Sequence, residues 1–190
     1  MARPLRNAAP GRIHHVWNRG NRRQVIFHKT GDYTAFIRIL AEAVKRFGLK
    51  LIAFCLMNNH WHLVIQPTEN VSLSAYMHWV TSTHVRRYQL HYEIVGSGHV
   101  YQRRFKNREC RFSERRVLVL IRYVEANPLK ARLVERVEDW RWSSLWLRLN
   151  GDPDGLLADC PITLPSNWAE YINQSTKRKA RKKKDARACR

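Results

Sequence analysis

Two strand-like segments separated by only three residues constrain this chain more than any other feature of its sequence. Residues 49–56 (LKLIAFCL) and 60–66 (HWHLVIQ) have the length and apolar content of strands, and residues 57–59 (MNN) between them are typical of a turn. Pro67 ends the second segment, because proline lacks the amide proton that a sheet requires. Another strand is predicted earlier in the chain, at residues 12–18 (RIHHVWN).

Three helices are predicted around these strands. The first runs from Asp32, its expected cap, to Phe47, with apolar residues at i, i+3 and i+4 spacing. The others are expected at about residues 73–92 and 114–127, each after a serine cap. Residues 99–112 are typical of a hairpin or an extended arm. The resulting order, β-α-β-β-α-β-α, predicts an α+β fold with a ferredoxin-like antiparallel sheet and helices on one face.

The chain is expected to divide into three parts. We assign residues 1–150 to the main domain, residues 151–175 to a C-terminal cover segment and residues 176–190 to a disordered tail rich in Lys and Arg. The cover is expected to be rich in tryptophan and to pack compactly on the core. The tryptophans expected to form this cover lie beyond the third predicted helix, in the main domain as well as in the cover segment, at Trp140, Trp142, Trp146 and Trp168.

The charge of the chain predicts a polyanionic partner. It has 35 Lys and Arg against 15 Asp and Glu, a formal net charge of +20. No apolar run approaches the ~18 residues of a membrane span, and the N-terminus lacks the apolar core of a signal peptide. We therefore expect a cytoplasmic, nucleoid-associated protein that binds nucleic acid and no membrane.

His60-Trp61-His62 is the most informative triplet. Side chains alternate faces along a strand, so His60 and His62 share one face and Trp61 takes the other. Two imidazoles whose Cα atoms are ~6–7 Å apart can converge on one divalent metal ion and leave its coordination sphere open. The residues alone leave a second interpretation open, in which these are two ordinary histidines at a strand edge.

Tyr123 and Asn127 are four residues apart on the third predicted helix and therefore share a face. A phenol at the border of that helix's apolar stripe would meet a metal held by the strand histidines, with the Asn127 amide oxygen as a third ligand. The chemistry would be phosphoryl transfer with the phenol as nucleophile. Spacing alone favours a simpler interpretation, in which Tyr123 is a packing residue and Asn127 ends the helix.

Residues 99–108 combine cations with aromatic side chains, as single-strand binding surfaces do. Tyr101 and Phe105 are either stacking platforms for bases or core residues of a hairpin. A basic turn at residues 19–24 adds further cations to the expected nucleic-acid surface.

Seven segments of the chain carry a resemblance to a known family, in this order: residues 2–6, 15–21, 32–36, 53–63, 98–105, 123–128 and 142–144. Together they resemble the REP-associated tyrosine transposases, of the single-tyrosine HUH transposases of insertion sequences. The resemblance implies that His60 and His62 ligate a metal ion, Mg²⁺ or Mn²⁺, and that Asn127 occupies the position of a third ligand. It also implies that Tyr123 attacks single-stranded DNA, forming a 5′-phosphotyrosine and releasing a 3′-hydroxyl.

The expected partner is single-stranded or hairpin DNA, such as REP elements. Both a monomer and a homodimer are open, and so is whether Tyr123 meets the histidines of its own chain. The residues expected to contact DNA are Arg3, Arg6, Arg19, Arg22, Arg23, Gln102, Arg103, Arg104 and Lys106.

Two other functions are compatible with the sequence. One is a nucleic-acid-binding module without catalysis, in which the histidines are idle. The other is a metal nuclease that activates water, in which Tyr123 is structural.

Overall fold

A four-stranded antiparallel sheet organises the structure, a computed structural model that describes residues 11–69, 71–174 and 176. The strands lie in the order β2-β3-β1-β4, and β2 and β3 form the hairpin that the three-residue turn predicts. This is the ferredoxin-like strand order, so the predicted α+β fold is confirmed. The strands are β1 (Ile13–Arg19), β2 (Lys50–Met57), β3 (His60–Gln66) and β4 (Lys106–Cys110).

Helices cover both faces of the sheet. The first two helices pack on one face against Val16, Trp61 and Leu63, which are fully buried. The third helix packs on the opposite face against Cys55 and Val64. Every residue of β2 after Lys50 is buried, so both faces of this strand need a cover. The helices are α1 (Thr30–Phe47), α2 (Leu73–His91), α3 (Glu114–Glu125), α4 (Asn127–Lys130) and α5 (Ser144–Asn150).

The prediction of helices on one face therefore holds for α1 and α2, while α3 lies on the other face. Asp32 is in the first turn of α1 and does not cap it. Its carboxylate accepts hydrogen bonds from the backbone amides of His28 and Lys29, at 2.7 and 3.2 Å, and thereby satisfies the amides of the cap residue Lys29 and of the residue before it.

The tryptophans beyond α4 contact the core, as a cover would. Trp142 stacks on Tyr33 with ring centroids 4.7 Å apart. The indole N–H of Trp140 donates to the backbone oxygen of Leu56 at 2.9 Å. The predicted tail lies outside the described residues, apart from residue 176. No helix in the described part of the chain is long and apolar enough to cross a membrane.

A buried chain of hydrogen bonds shows whether the aromatic residues before β4 face the core or the solvent. The indole N–H of Trp61 donates to the Tyr101 hydroxyl at 3.0 Å, and that hydroxyl donates to Nδ1 of His84 at 2.6 Å. Tyr101 and Phe105 are 8% and 5% exposed. They are core residues, so the stacking alternative for these two aromatics is wrong.

The same chain of hydrogen bonds predicts acid sensitivity. Burial lowers the pKa of His84 to about 3, so the folded state keeps this ring neutral. The unfolded state binds a proton below about pH 6.5, so the contribution of His84 to stability is complete above that pH and falls as the pH drops. Between pH 7.5 and 5, His84 should account for a loss of about 2 kcal/mol in the free energy of unfolding.

Urea unfolding of the parent and of His84→Gln at both pH values measures this contribution. The variant should lose less stability than the parent on acidification, since glutamine cannot take up the proton but still accepts from Tyr101. Equal losses in the two proteins would contradict the assignment.

Candidate active site

The pairing of β1 with β3 brings the polar side chains of both strands together on one face of the sheet. In this antiparallel ladder Trp17 lies opposite His62, and Arg19 lies opposite His60. Alternation along β1 places His15 on the same face as Trp17 and Arg19. Three imidazoles, an indole and a guanidinium therefore share one end of the sheet face that α3 covers.

His60 and His62 stand next to each other with ring centroids 5.1 Å apart and planes 87° apart. Nδ1 of His60 donates to the side-chain oxygen of Asn59 at 2.7 Å. Nδ1 of His62 lies 2.9 Å from Nε2 of His15. When Nδ1 is the protonated nitrogen in both rings, both Nε2 lone pairs are available to a ligand, and the two outer contacts fix the ring orientations.

These imidazoles are neutral at physiological pH. Burial first, and then one nearby arginine in each case, lowers the pKa of His15 and of His60 to about 4. The pKa of His62 is lowered well below its usual value, first by burial and then by the neighbouring imidazoles, Lys130 and Arg19. A neutral imidazole is the form that coordinates a metal ion.

Tyr123 projects from α3 over these rings. Val117, Ile121 and Val124 bury the apolar stripe of the helix, and Tyr123 lies at its border, 45% exposed. The centre of its ring is 5.8 Å from that of His62 and 5.6 Å from that of His15, edge-on to both. The predicted meeting of the phenol with the strand histidines thus occurs within one chain.

The end of α3 is held by side chains that also face Tyr123. The Asn127 amide group donates to the backbone oxygens of Tyr123 and Val124, both at 2.9 Å. This leaves its Oδ1 as the remaining polar atom of that side chain. Lys130 donates to the Tyr123 backbone oxygen at 3.0 Å, and its Nζ lies 4.1 Å from the centre of the Tyr123 ring.

These groups line one open cleft of about 580 Å³, which we call the central cleft. It brings together nine of the residues that sequence analysis selected. Its lining is Trp17, Asn18, Arg19, His60, His62, Gln102, Arg103, Arg104, Lys106, Tyr123 and Asn127.

Two of the selected arginines within residues 11–69, 71–174 and 176 are not in the lining of the central cleft. Arg22 and Arg23 lie in a short 3-10 turn, Asn21–Arg23, outside its lining. Arg3 and Arg6 lie outside the described residues.

Sequence analysis did not select His15, Trp17 or Lys130 as site residues. The sequence could have indicated His15 and Trp17, because alternation along the first strand places them on the same face as Arg19. It could not have indicated Lys130, because the approach of this side chain to Tyr123 depends on the turn from α3 into α4.

The donor set fits an open divalent site. No group of three or more His, Cys, Asp or Glu side chains within residues 11–69, 71–174 and 176 is arranged to hold a metal ion. Two neutral imidazoles with oriented rings and one amide oxygen leave coordination positions for phosphate oxygens and water. The residues present thus suit a metal that binds together with a substrate.

Glu125 anchors the helix that carries Tyr123. This carboxylate is fully buried and accepts hydrogen bonds from Ser144 at 2.5 Å and from the indole of Trp168 at 2.7 Å. It also pairs with Arg148. Through Glu125, α3 is tied to α5 and to the helical residues 168–174, which fixes the position of the helix on the sheet.

The part of the chain that forms this site also matches a known protein family. A family model described as "Transposase IS200 like" matches residues 9–127, from before β1 to the end of α3 and Asn127. None of the curated proteins matches this chain.

Two solved structures are similar to the chain. One is described as "Structure of the REP associates tyrosine transposase bound to a REP hairpin" and has a TM-score of 0.63 at 18% identity, covering 87% of this chain and 96% of that chain. At that identity, the likeness shows the fold. The other, a putative transposase from Deinococcus radiodurans R1, has a TM-score of 0.44 at 19% identity, with 66% and 96% covered.

The Glu125 anchor predicts a large loss of stability on substitution. Glu125→Ala leaves Arg148 without its carboxylate partner and the buried indole N–H of Trp168 without its acceptor, so the free energy of unfolding should fall by about 3–5 kcal/mol. The matched control is Glu42→Ala, which removes an exposed pair with Arg87 and should cost under about 1 kcal/mol. Urea unfolding at pH 7.5 measures both, and similar losses in the two variants would refute the anchoring role.

Proposed function

The chain belongs to the IS200-like transposase family, and we propose that it cleaves and rejoins single-stranded DNA through a covalent bond between Tyr123 and a 5′-phosphate. Membership of this family implies DNA cleavage and strand transfer in general. The single observation that carries the finer proposal is the position of the Tyr123 ring, 5.8 Å from His62 in a cleft lined by cations.

In the proposed step, the Tyr123 oxygen attacks the scissile phosphorus in line with the departing oxygen. The new bond joins the phenol oxygen to phosphorus, and the bond to the 3′-oxygen breaks. The phenolic proton leaves to water, which reaches the half-exposed ring, and the 3′-oxygen takes up a proton as it departs. Attack by the 3′-hydroxyl of a second strand reverses these changes and rejoins the DNA.

The surroundings of Tyr123 suit this chemistry. Negative charge develops on the phosphoryl oxygens, and fixed cations aimed at them lower the barrier. Arg19, Lys106 and Lys130 lie around the cleft or over the ring. The tie between α3 and α5 holds the phenol in place, so little orientational freedom is lost during attack.

His60 and His62, with Asn127, are the residues proposed to hold a divalent cation, Mg²⁺ or Mn²⁺. Transposases of this kind are generally metal-dependent. When bound, the ion supplies Lewis-acid polarisation of the scissile phosphate. The contacts of His62 with His15 and of His60 with Asn59 keep both rings turned for coordination.

We propose that the DNA substrate is a single strand next to a hairpin. The similar structure of the REP-associated transposase contains a REP hairpin, and its fold is that of this chain. The cleft residues Gln102, Arg103 and Arg104 are proposed to contact the DNA. Because Tyr123 faces the histidines of its own chain, we propose that one chain forms a complete site and that residues 151–175 support it through Trp168.

The first test is capture of a covalent adduct. The protein is incubated with Mn²⁺ and a labelled pool of DNA hairpins whose single-stranded flanks are randomised, and the products are separated on a denaturing gel. The parent should give a protein–DNA band, and Tyr123→Phe should reduce it at least about 10³-fold because the nucleophile is missing. Tyr88→Phe, which removes a phenol that contacts His28, should keep the band.

The gel also separates the other candidate functions. Cleavage that survives Tyr123→Phe but not His60→Ala would assign the reaction to activated water. The absence of adduct and of cleavage in any divalent metal, with DNA binding retained under native conditions, would leave a binding module. Either result would overturn the proposed nucleophile.

The second test measures metal binding without activity. Mn²⁺ titration followed by electron paramagnetic resonance should show one site in the parent with a DNA strand present. His60→Ala/His62→Ala should weaken binding at least about tenfold, because both nitrogen ligands are lost. His78→Ala removes an exposed imidazole on α2 and serves as the control. Unchanged Mn²⁺ affinity in the double variant would exclude these ligands.

A further inference from the structure

A second and larger groove opens from the central cleft between β4 and α3. Its volume is about 1100 Å³, and we call it the β4–α3 groove. The two share Trp17, His62 and Tyr123, so a strand lying across Tyr123 passes directly from one into the other. The groove lining is His15, Trp17, His62, Arg108, Glu109, Cys110, Arg111, Ser113, Arg115, Arg116, Val119, Leu120 and Tyr123.

The charges of this groove match a phosphate backbone. Arg108 lies on β4, Arg111 lies between β4 and α3, and Arg115 and Arg116 lie on α3. Both sides of the groove therefore carry cations. All four are exposed, and within the described residues none of them has a carboxylate within 4.0 Å.

The single acidic residue in the lining is already neutralised. Glu109 pairs with Arg12 at 2.6 Å. The groove therefore presents four guanidinium groups with no internal counter-charge, and guanidinium is the side chain best suited to phosphate.

Apolar and aromatic groups lie among these cations. Phe112 is not in the lining, but it lies between the lining residues Arg111 and Ser113 in the chain and is 65% exposed, although an aromatic ring is ordinarily buried. Trp17 lines both grooves and stacks on His15 with ring centroids 4.6 Å apart. Val119 on α3 is 43% exposed.

Aromatic rings can stack on bases only where the bases are unpaired, so this combination selects a single strand over a duplex. Resting on the proposed function, we infer that the β4–α3 groove holds the single strand next to the scissile phosphate. Arg108, Arg111, Arg115 and Arg116 bind its phosphates, and Phe112 stacks on one of its bases. Sequence analysis included Arg108 in its expected nucleic-acid surface at residues 99–108, but it did not select Arg111, Arg115 or Arg116 as DNA contacts.

Binding of fluorescein-labelled dT20 tests this inference in the full chain carrying Tyr123→Phe, with fluorescence anisotropy at several salt concentrations. Arg108→Ala/Arg111→Ala and Arg115→Ala/Arg116→Ala should each weaken binding at least about tenfold. Each should also reduce the slope of log affinity against log salt by about 1.4, since a single strand contributes ~0.7 per phosphate contact. The control, Arg38→Ala/Lys45→Ala, removes the same charge from the exposed side of α1 and should change the slope far less.

The aromatic contact is tested separately. Phe112→Ala should weaken dT20 binding by about 5- to 150-fold with an unchanged salt slope, and Phe112→Tyr should restore it because the ring is kept. A dT20 strand containing 5-iodouracil should crosslink to residues 108–119, identified by mass spectrometry. Groove variants that bind like the α1 control, or crosslinks elsewhere only, would overturn the inference.

These outcomes are independent of the proposed nucleophile. With the native Tyr123, groove variants should still form the covalent adduct at saturating DNA. If the parent forms no adduct but the groove variants lose binding, the proposed function fails and the groove stands. If the adduct forms and the groove variants bind like the control, the groove inference fails alone.

Discussion

The antiparallel pairing of β1 with β3 is the interaction on which the rest of the structure depends. Its register sets Trp17 opposite His62 and Arg19 opposite His60, and it directs Trp61 to the other face of the sheet. A slip of one residue would reverse these faces, because side chains alternate along a strand. The indole of Trp61 would then leave its buried hydrogen bond with Tyr101, so the core and the site enforce the same register.

The helix that covers the histidine-bearing face of the sheet also supplies Tyr123 to the site. Because β2 is buried on both sides, α3 must lie on the face that carries the histidines, and its border residue Tyr123 then projects over them. The buried contacts of Glu125 with Ser144, Arg148 and Trp168 hold that helix in place. Segments beyond the matched family region thus support the position of the phenol.

Charge and burial act together around the histidines. Burial removes the water that would stabilise a protonated ring, and the surrounding arginines and Lys130 disfavour an additional positive charge. Arg108, which lowers the pKa of His15, also lines the β4–α3 groove with Arg111, Arg115 and Arg116, and within the described residues these four exposed arginines have no carboxylate within 4.0 Å. Their mutual repulsion is relieved when a phosphate backbone enters, so the electrostatics that keep the imidazoles neutral also favour the substrate.

Local periodicity in the sequence determined the succession of strands and helices along the chain, the shared face of His60 and His62, and the shared face of Tyr123 and Asn127, because alternation and helical spacing depend only on near neighbours. Patterns could not decide whether Tyr101 and Phe105 face bases or the core, since both interpretations use the same residues. The contact of His15 with His62 across 47 residues, the hub at Glu125 and the groove beside Phe112 arose only in the tertiary structure. Such contacts depend on how separate elements pack, and packing is a property of the whole chain.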